Sequence, residues 1–158
     1  MCLMRTSLIL GLLSILSGVA YPADRSGDGE AAFRSLYKEL VETNTSLSAG
    51  SCTLAAQRMT ARLKAAGYSD SDVRVFTDPE HPKEGGLVAQ LTGSDPARKA
   101  VLMLAHLDVV EAKRADWTRD PFTLVEEGGY FYGRGTSDDK AMGAIFTDLL
   151  IRFKQEGF

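Results

Sequence analysis

Histidine and cysteine are both scarce in this chain, with two of each in 158 residues. The cysteines are Cys2 and Cys52, and Cys2 lies in an N-terminal apolar segment. If that segment is removed, Cys52 is alone and no internal disulfide can form. Stability must then come from a hydrophobic core, a metal, or both. No histidine is near Cys52 in sequence, so a buried structural thiol is expected there and not a nucleophile. An excess of positive charge is also missing. Lys and Arg number 18 against 21 Asp and Glu, for a net charge of −3. That balance gives no reason to expect nucleic-acid binding. Internal repeats and low-complexity tracts are absent, and the length suits one domain or part of one.

Long apolar runs are missing too, apart from the N-terminus. Arg5 precedes the apolar stretch Leu8 to Leu16, and Gly18-Val19-Ala20 places small residues where a signal peptidase reads. Residues 1–20 are therefore expected to be a signal peptide cleaved after Ala20. The run is too short to span a membrane comfortably, although a retained anchor is the alternative. A secreted or periplasmic protein follows, with no membrane attachment after cleavage. Residues 21–29 are polar and read as a flexible mature N-terminus.

Phe33, Leu36, Tyr37, Leu40 and Val41 fall on one helical face. Ser51 can cap a second helix with Ala55, Met59, Leu63 and Ala66 on one face and Gly67 as its stop. Val73–Phe76 and Leu87–Leu91 read as strands around a loop rich in Pro and Gly. Val101–Ala105 is apolar throughout, as expected of a strand covered on both faces. Thr123–Glu127 and Tyr130–Tyr132 flank Gly128-Gly129 and read as a hairpin. Met142, Ile145, Phe146, Leu149, Leu150 and Phe153 form the strongest helical stripe, with Gly157 as its stop. The expected class is α/β, with a mixed, partly parallel sheet and flanking helices.

Two segments carry the chemistry. His106 and Asp108 close the apolar run 101–105. A carboxylate beside a metal-bound imidazole fixes the ring tautomer, so His106 would be a ligand and Asp108 its orienter. A histidine merely satisfied at the surface or in the core is the bland alternative. The second segment is Gly133-Arg134-Gly135-Thr136-Ser137-Asp138-Asp139-Lys140. Asp138 lies just before a helix, where a simple cap is the competing reading. Two adjacent carboxylates repel unless a cation lies between them, which favours a metal. Arg134 could neutralise that pair or serve the turn. His81 and the Glu126-Glu127 pair read as loop and hairpin residues, and Lys99, Lys113, Arg114 and Arg119 as solvated surface.

Taken together, the His-x-Asp-Val-Val end, Trp117-Thr118-Arg119-Asp120-Pro121-Phe122, the hairpin and Tyr-Gly-Arg-Gly-x-x-Asp-x-Lys resemble one family. These are the co-catalytic zinc metallohydrolases that include glutamate carboxypeptidase, succinyl-diaminopimelate desuccinylase, acetylornithine deacetylase, aminoacylase and several dipeptidases. The specific match covers about residues 100–156. The resemblance implies that residues 30–158 are the N-terminal part of such a catalytic domain. It implies two Zn2+ ions, with Co2+ or Mn2+ as substitutes. It also implies His106 as a ligand of one ion, Asp138 as the bridging ligand and Asp108 as the orienter at the catalytic centre. Asp139 is assigned no ligand role, and a cis peptide is implied between Asp138 and Asp139. The general-base glutamate, further ligands and the lid domain of the family have no counterpart in this sequence.

The implied activity is zinc-dependent hydrolysis of amide bonds in small peptides by an exported metallopeptidase. The alternatives are a deacylase of N-acyl amino acids and a non-enzymatic, inactive fragment. The implied partner is the small peptide or N-acyl amino acid substrate. Oligomeric state is not readable.

Overall fold

The computed structural model describes residues 26–157. The expected signal peptide 1–20 and residues 21–25 lie outside that range. The elements in order are α1 (Ser26–Glu42), α2 (Cys52–Ala65), β1 (Val73–Phe76), β2 (Gly86–Ala89), β3 (Val125–Glu127), β4 (Tyr130–Tyr132) and α3 (Lys140–Glu156). A single 3-10 turn, Arg114–Asp116, lies between β2 and β3. No helix among the described residues is long and apolar enough to cross a membrane.

The first helix buries the face its periodicity predicts. Leu36, Tyr37, Leu40 and Val41 are buried, and Phe33 packs against them. Its start corrects the expected flexible stretch 21–29, because residues 26–29 are already helical. A Cβ on Gly29 would stand 3.3 Å from the guanidinium of Arg152 on α3.

The second helix has the caps its sequence announces. Ser51 Oγ accepts from the Leu54 amide at 3.1 Å. At the other end Gly67 takes φ +96°, and the amides of Gly67 and Tyr68 return to the carbonyls of Lys64 and Leu63. This is the paired closure a glycine in the left-handed region permits. Leu63 and Tyr68 pack together in the same cluster, the apolar contact that accompanies such a stop.

The strands form two antiparallel pairs. β1 pairs with β2 with Val73 opposite Ala89, and β3 with β4 with Val125 opposite Tyr132. Gly128 and Gly129 both take positive φ in the two-residue turn between β3 and β4. Helices and small sheets mix, and both sheets are antiparallel among the described residues. The expected strand Val101–Ala105 is a different matter. It has no ladder partner among the described residues, and Val101, Leu102 and Leu104 are 86%, 79% and 76% exposed. Its parallel link comes just beyond, as an isolated bridge between Ser46 and Val109. Apolar character marks a segment that can be covered. It does not supply the neighbour that covers it.

On α3, Met142 and Ile145 of the apolar stripe are exposed. Its buried residues are Lys140, Ala144 and Thr147. Helices α1 and α3 approach closely, and a Cβ on Gly143 would stand 3.4 Å from Leu40 Cδ2. Small side chains permit that approach, whereas Phe146, Leu150 and Phe153 line an open groove beside residues 100–107.

Candidate functional site

The two segments singled out by sequence converge at one end of the α1–α3 pair. His106 Nε2 lies 2.9 Å from Asp138 Oδ1. On the other side of the ring, Nδ1 lies 3.1 Å from the Asp108 carbonyl oxygen and 3.3 Å from Asp108 Oδ1. A carbonyl oxygen only accepts, so Nδ1 must carry the hydrogen. Neutral His106 therefore turns the lone pair of Nε2 towards a carboxylate oxygen. Two acceptors face each other across 2.9 Å, an arrangement that is favourable only with a proton or a cation between them. Accordingly, partial burial pulls the His106 pKa down, but the Asp138 hydrogen bond, the Asp108 carbonyl and both carboxylate charges outweigh it. The net direction is up.

Asp138 and Asp139 do different things. The residue at the N-cap of α3 is Asp139, and its side chain makes no capping hydrogen bond. Asp139 Oδ2 instead accepts from the His106 amide at 3.3 Å. The simple cap reading thus has no support from either carboxylate. The peptide between the two is cis.

The glycine turn that delivers Asp138 is held from three sides. Tyr37 Oη donates to the Thr136 carbonyl at 2.6 Å. The Arg134 amide donates to the Pro121 carbonyl at 2.7 Å. Gly135 takes φ +82°, and a Cβ there would stand 2.8 Å from Val109 Cγ1 and 3.0 Å from Lys140 Cδ. Only glycine meets both conditions.

The remaining candidates separate cleanly. The Arg134 guanidinium lies over the Trp117 ring, 5.0 Å from its centroid, and makes no ion pair with Asp138 or Asp139 among the described residues. His81 pairs with Asp78 at 3.0 Å in its own loop. Glu126 and Glu127 are exposed and pair with Arg34 and Arg119, as a solvated hairpin would. The half-buried Cys52 thiol is pushed up in pKa, first by burial and then by the charge of Asp108, which suits a structural thiol.

One residue of weight was missed by sequence reasoning. Lys140 is fully buried at the first turn of α3. Its Nζ donates to the carbonyls of Thr43 at 2.7 Å and Val41 at 3.3 Å. Burial lowers its pKa to about 8. The signal was readable, since a cation is disfavoured at a helix N-terminus. A lysine there needs partners from elsewhere in the fold.

The donor types fit a zinc ion: one imidazole with its tautomer fixed, and one facing carboxylate. Two zinc ligands at ordinary bond lengths stand about 3.3 Å apart in a tetrahedron. The observed 2.9 Å needs only a small opening to reach that. The number of donors is small, however, and no group of three or more His, Cys, Asp or Glu is arranged to hold a metal among the described residues. His106 and Asp138 are part of a ligand set. A cavity of about 220 Å³ adjoins them, lined by residues that include Val109, Arg134 and Ser137.

Residues 102–158 match the family model described as Peptidase family M20/M25/M40. This is the family of the resemblance. The chain is 35% identical over 105 residues to an acetylornithine deacetylase of Dictyostelium discoideum, covering 63% of this chain and 24% of that protein. It is 49% identical over 69 residues to the Beta-Ala-His dipeptidase of Mus musculus, covering 43% of this chain and 14% of that protein. In fold it is similar to the dipeptidase Dug1p of Saccharomyces cerevisiae, with a TM-score of 0.61 and 24% identity. That match covers 82% of this chain and 30% of the yeast chain. The chain thus spans less than a third of the length of each of these three proteins. The matched family segment contains His106, Asp108, Asp138 and Lys140.

Proposed function

We propose that this chain supplies part of the metal-holding centre of a zinc-dependent hydrolase of amide bonds in small peptides. One observation carries the reading. His106 presents Nε2 to Asp138 Oδ1 across 2.9 Å, while Asp108 holds the hydrogen on Nδ1. His106 and Asp138 would hold metal, with Asp138 shared between two ions, and Asp108 would orient the imidazole. Bound zinc would supply Lewis acidity and a water acidic enough to attack a carbonyl near neutral pH. The chain's own residues preset that chemistry. Asp108 fixes the tautomer and the ring plane. Asp139 holds the backbone of His106, and the Gly133–Gly135 turn sets the approach of Asp138. No general base is assignable among these residues, so background turnover is expected of the chain by itself.

The similarity to a dipeptidase supports a peptide substrate. The second reading is an N-acyl-amino-acid deacylase, favoured by the longer match to acetylornithine deacetylase. A panel of dipeptides against N-acetyl and N-succinyl amino acids separates the two. Zinc titration by calorimetry tests the shared centre. Binding is expected to be weak in the unaltered chain and lost in His106→Ala and Asp138→Ala. Equal zinc affinity in all three would overturn the reading. Export, with cleavage after Ala20, belongs to the same proposal. N-terminal sequencing of exported protein should begin at Tyr21, and a retained Met1 would refute it.

A further inference from the structure

The corner where α1 ends buries an unusual set of polar side chains. Thr43, Thr45 and Ser46 are 2%, 2% and 4% exposed, and the Lys140 that meets them is 0% exposed. Buried polar groups are costly unless every one is hydrogen-bonded, and here they are. Asn44 Oδ1 accepts from both the amide and the hydroxyl of Ser46, at 2.9 and 2.8 Å. Thr43 Oγ1 donates to the Glu39 carbonyl at 2.7 Å and accepts from Arg58 at 2.6 Å. The Gly50 and Ser51 amides close the corner on the Ser46 and Asn44 carbonyls. A Cβ on Gly50 would stand 2.5 Å from the Ser46 nitrogen, so the corner is tightly wound.

This rigid corner reaches both site segments. On one side, Lys140 Nζ donates to the Thr43 and Val41 carbonyls, and Lys140 follows Asp138 by two residues. On the other, Thr45 Oγ1 donates to the Leu107 carbonyl at 2.6 Å, and Leu107 follows His106 directly. The Val109 amide donates to the Thr45 carbonyl at 3.3 Å, which makes the parallel bridge of Ser46 with Val109. The contacts form a closed ring. It runs from Asp138 through Lys140 to Thr43, along the corner to Thr45, across to Leu107, and back through His106 to Asp138.

We infer that Thr45 and Lys140 are positioning residues of the candidate metal centre, setting the separation of His106 and Asp138 through the α1 corner. The inference rests on the proposed function for what the centre holds, but not for the ring itself. A last carbonyl of a helix can be satisfied by water or a backbone amide at little cost. Burying an ammonium to do so gains something only if a fixed distance is also gained. Thr45 makes the same point, because its hydroxyl bonds to a segment 62 positions away and not to its own turn.

The test uses the full chain and two readouts. The metal-free readout is the nuclear Overhauser contact between the His106 ring protons and the Asp138 β protons. The second is calorimetric titration with Zn2+. Thr45→Val keeps the shape and removes the hydroxyl, Thr45→Ser keeps the hydroxyl, and Lys140→Met keeps the length and removes the charge. We expect the contact in the unaltered chain and in Thr45→Ser, and its weakening in Thr45→Val and Lys140→Met. Zinc affinity should fall about tenfold or more in the weakened variants. An unaltered chain with no contact, or a contact equally strong in Thr45→Val, overturns the inference. Loss of helical circular dichroism in Thr45→Val also overturns it, since the hydroxyl would then hold the fold and not the site. If Lys140→Met does not fold, Thr45→Val and its rescue by serine decide. If the contact responds as stated while no variant binds zinc, the positioning role stands and the metal reading fails.

Discussion

His106 Nε2 faces Asp138 Oδ1 at 2.9 Å although the two residues are 32 positions apart. The pair is more exposed than buried, with side chains 51% and 88% accessible. An exposed pair of this kind contributes little to stability. Its order comes from the scaffold: the Asp108 carbonyl behind the ring, the Asp139 carboxylate on the His106 amide, and the turn fixed by Tyr37 and Gly135. A geometry maintained without a stability gain of its own suits a ligand-holding role.

Asp138 and Asp139 should therefore respond differently to the same substitution. Asp138→Asn removes the carboxylate that faces Nε2 and should cost about tenfold or more in zinc affinity. Asp139→Asn retains an oxygen for the His106 amide and should change affinity by less than that. Calorimetric titration of both variants beside the unaltered chain decides it. Equal losses would show that the two carboxylates act as one unspecific acidic patch.

Gly135→Ala should destabilise the chain by about 1–3 kcal/mol, because it forces positive φ on a residue with a Cβ and drives that carbon into Val109 and Lys140. Gly93→Ala is the control, since nothing lies within 4 Å of its added carbon. Urea denaturation of both variants gives the comparison. A Gly135→Ala midpoint equal to that of the parent would remove the steric argument.

The local rules were legible wherever the cause is local. Ser51 caps, Gly67 and Gly157 stop helices, and Gly128-Gly129 turns the hairpin, because each depends on a few neighbouring atoms. The meeting of His106 and Asp138 was legible through family resemblance and two short motifs. What was not legible depended on partners distant in sequence. The apolar stripe of α3 did not reveal that Ala144 and Thr147 are among its buried positions, because small residues determine how closely α1 can approach. Val101–Ala105 looked like a covered strand, because pattern alone cannot say whether a neighbour is present. Thr45 lies in a polar stretch just after α1, and nothing in its local sequence points to Leu107.

A pH effect should arise at the edge of the site. Ser48 donates its amide and hydroxyl to Glu111 at 2.9 and 2.8 Å. These hydrogen bonds hold the Glu111 pKa below the usual glutamate value, the backbone one most. With the folded pKa lowered, the unfolded chain binds more protons as pH falls through this window. The contribution is thus fully present above about pH 4.5 and is lost as pH drops towards the folded value. Glu111→Gln should flatten the acid limb of the stability curve and leave the neutral region nearly unchanged. Denaturation midpoints measured from pH 3 to 7 would show it, and identical acid limbs would refute it.

The groove between β2, residues 100–107 and α3 should bind apolar probes. It encloses about 1870 Å³, and Leu102, Leu104, Phe146 and Leu150 are among its lining residues. Apolar surface of this extent, open to water, is favourable ground for a hydrophobic dye. Anilinonaphthalene sulfonate should therefore brighten with the folded chain at neutral pH. Leu104→Glu places a charge on the exposed lip, where Leu104 is 76% accessible, so it should cost little stability while dimming the dye several-fold. Leu47→Glu, at a site 78% accessible that also touches the groove, tests whether any charge suffices. Dimming confined to Leu104→Glu would place the dye against the 100–107 segment. Equal dimming by both would mean that it occupies the groove throughout. Fluorescence that is absent from the unaltered chain, with helical circular dichroism intact, would show that the groove closes in solution, and the exposure of Val101, Leu102 and Leu104 would have to be abandoned.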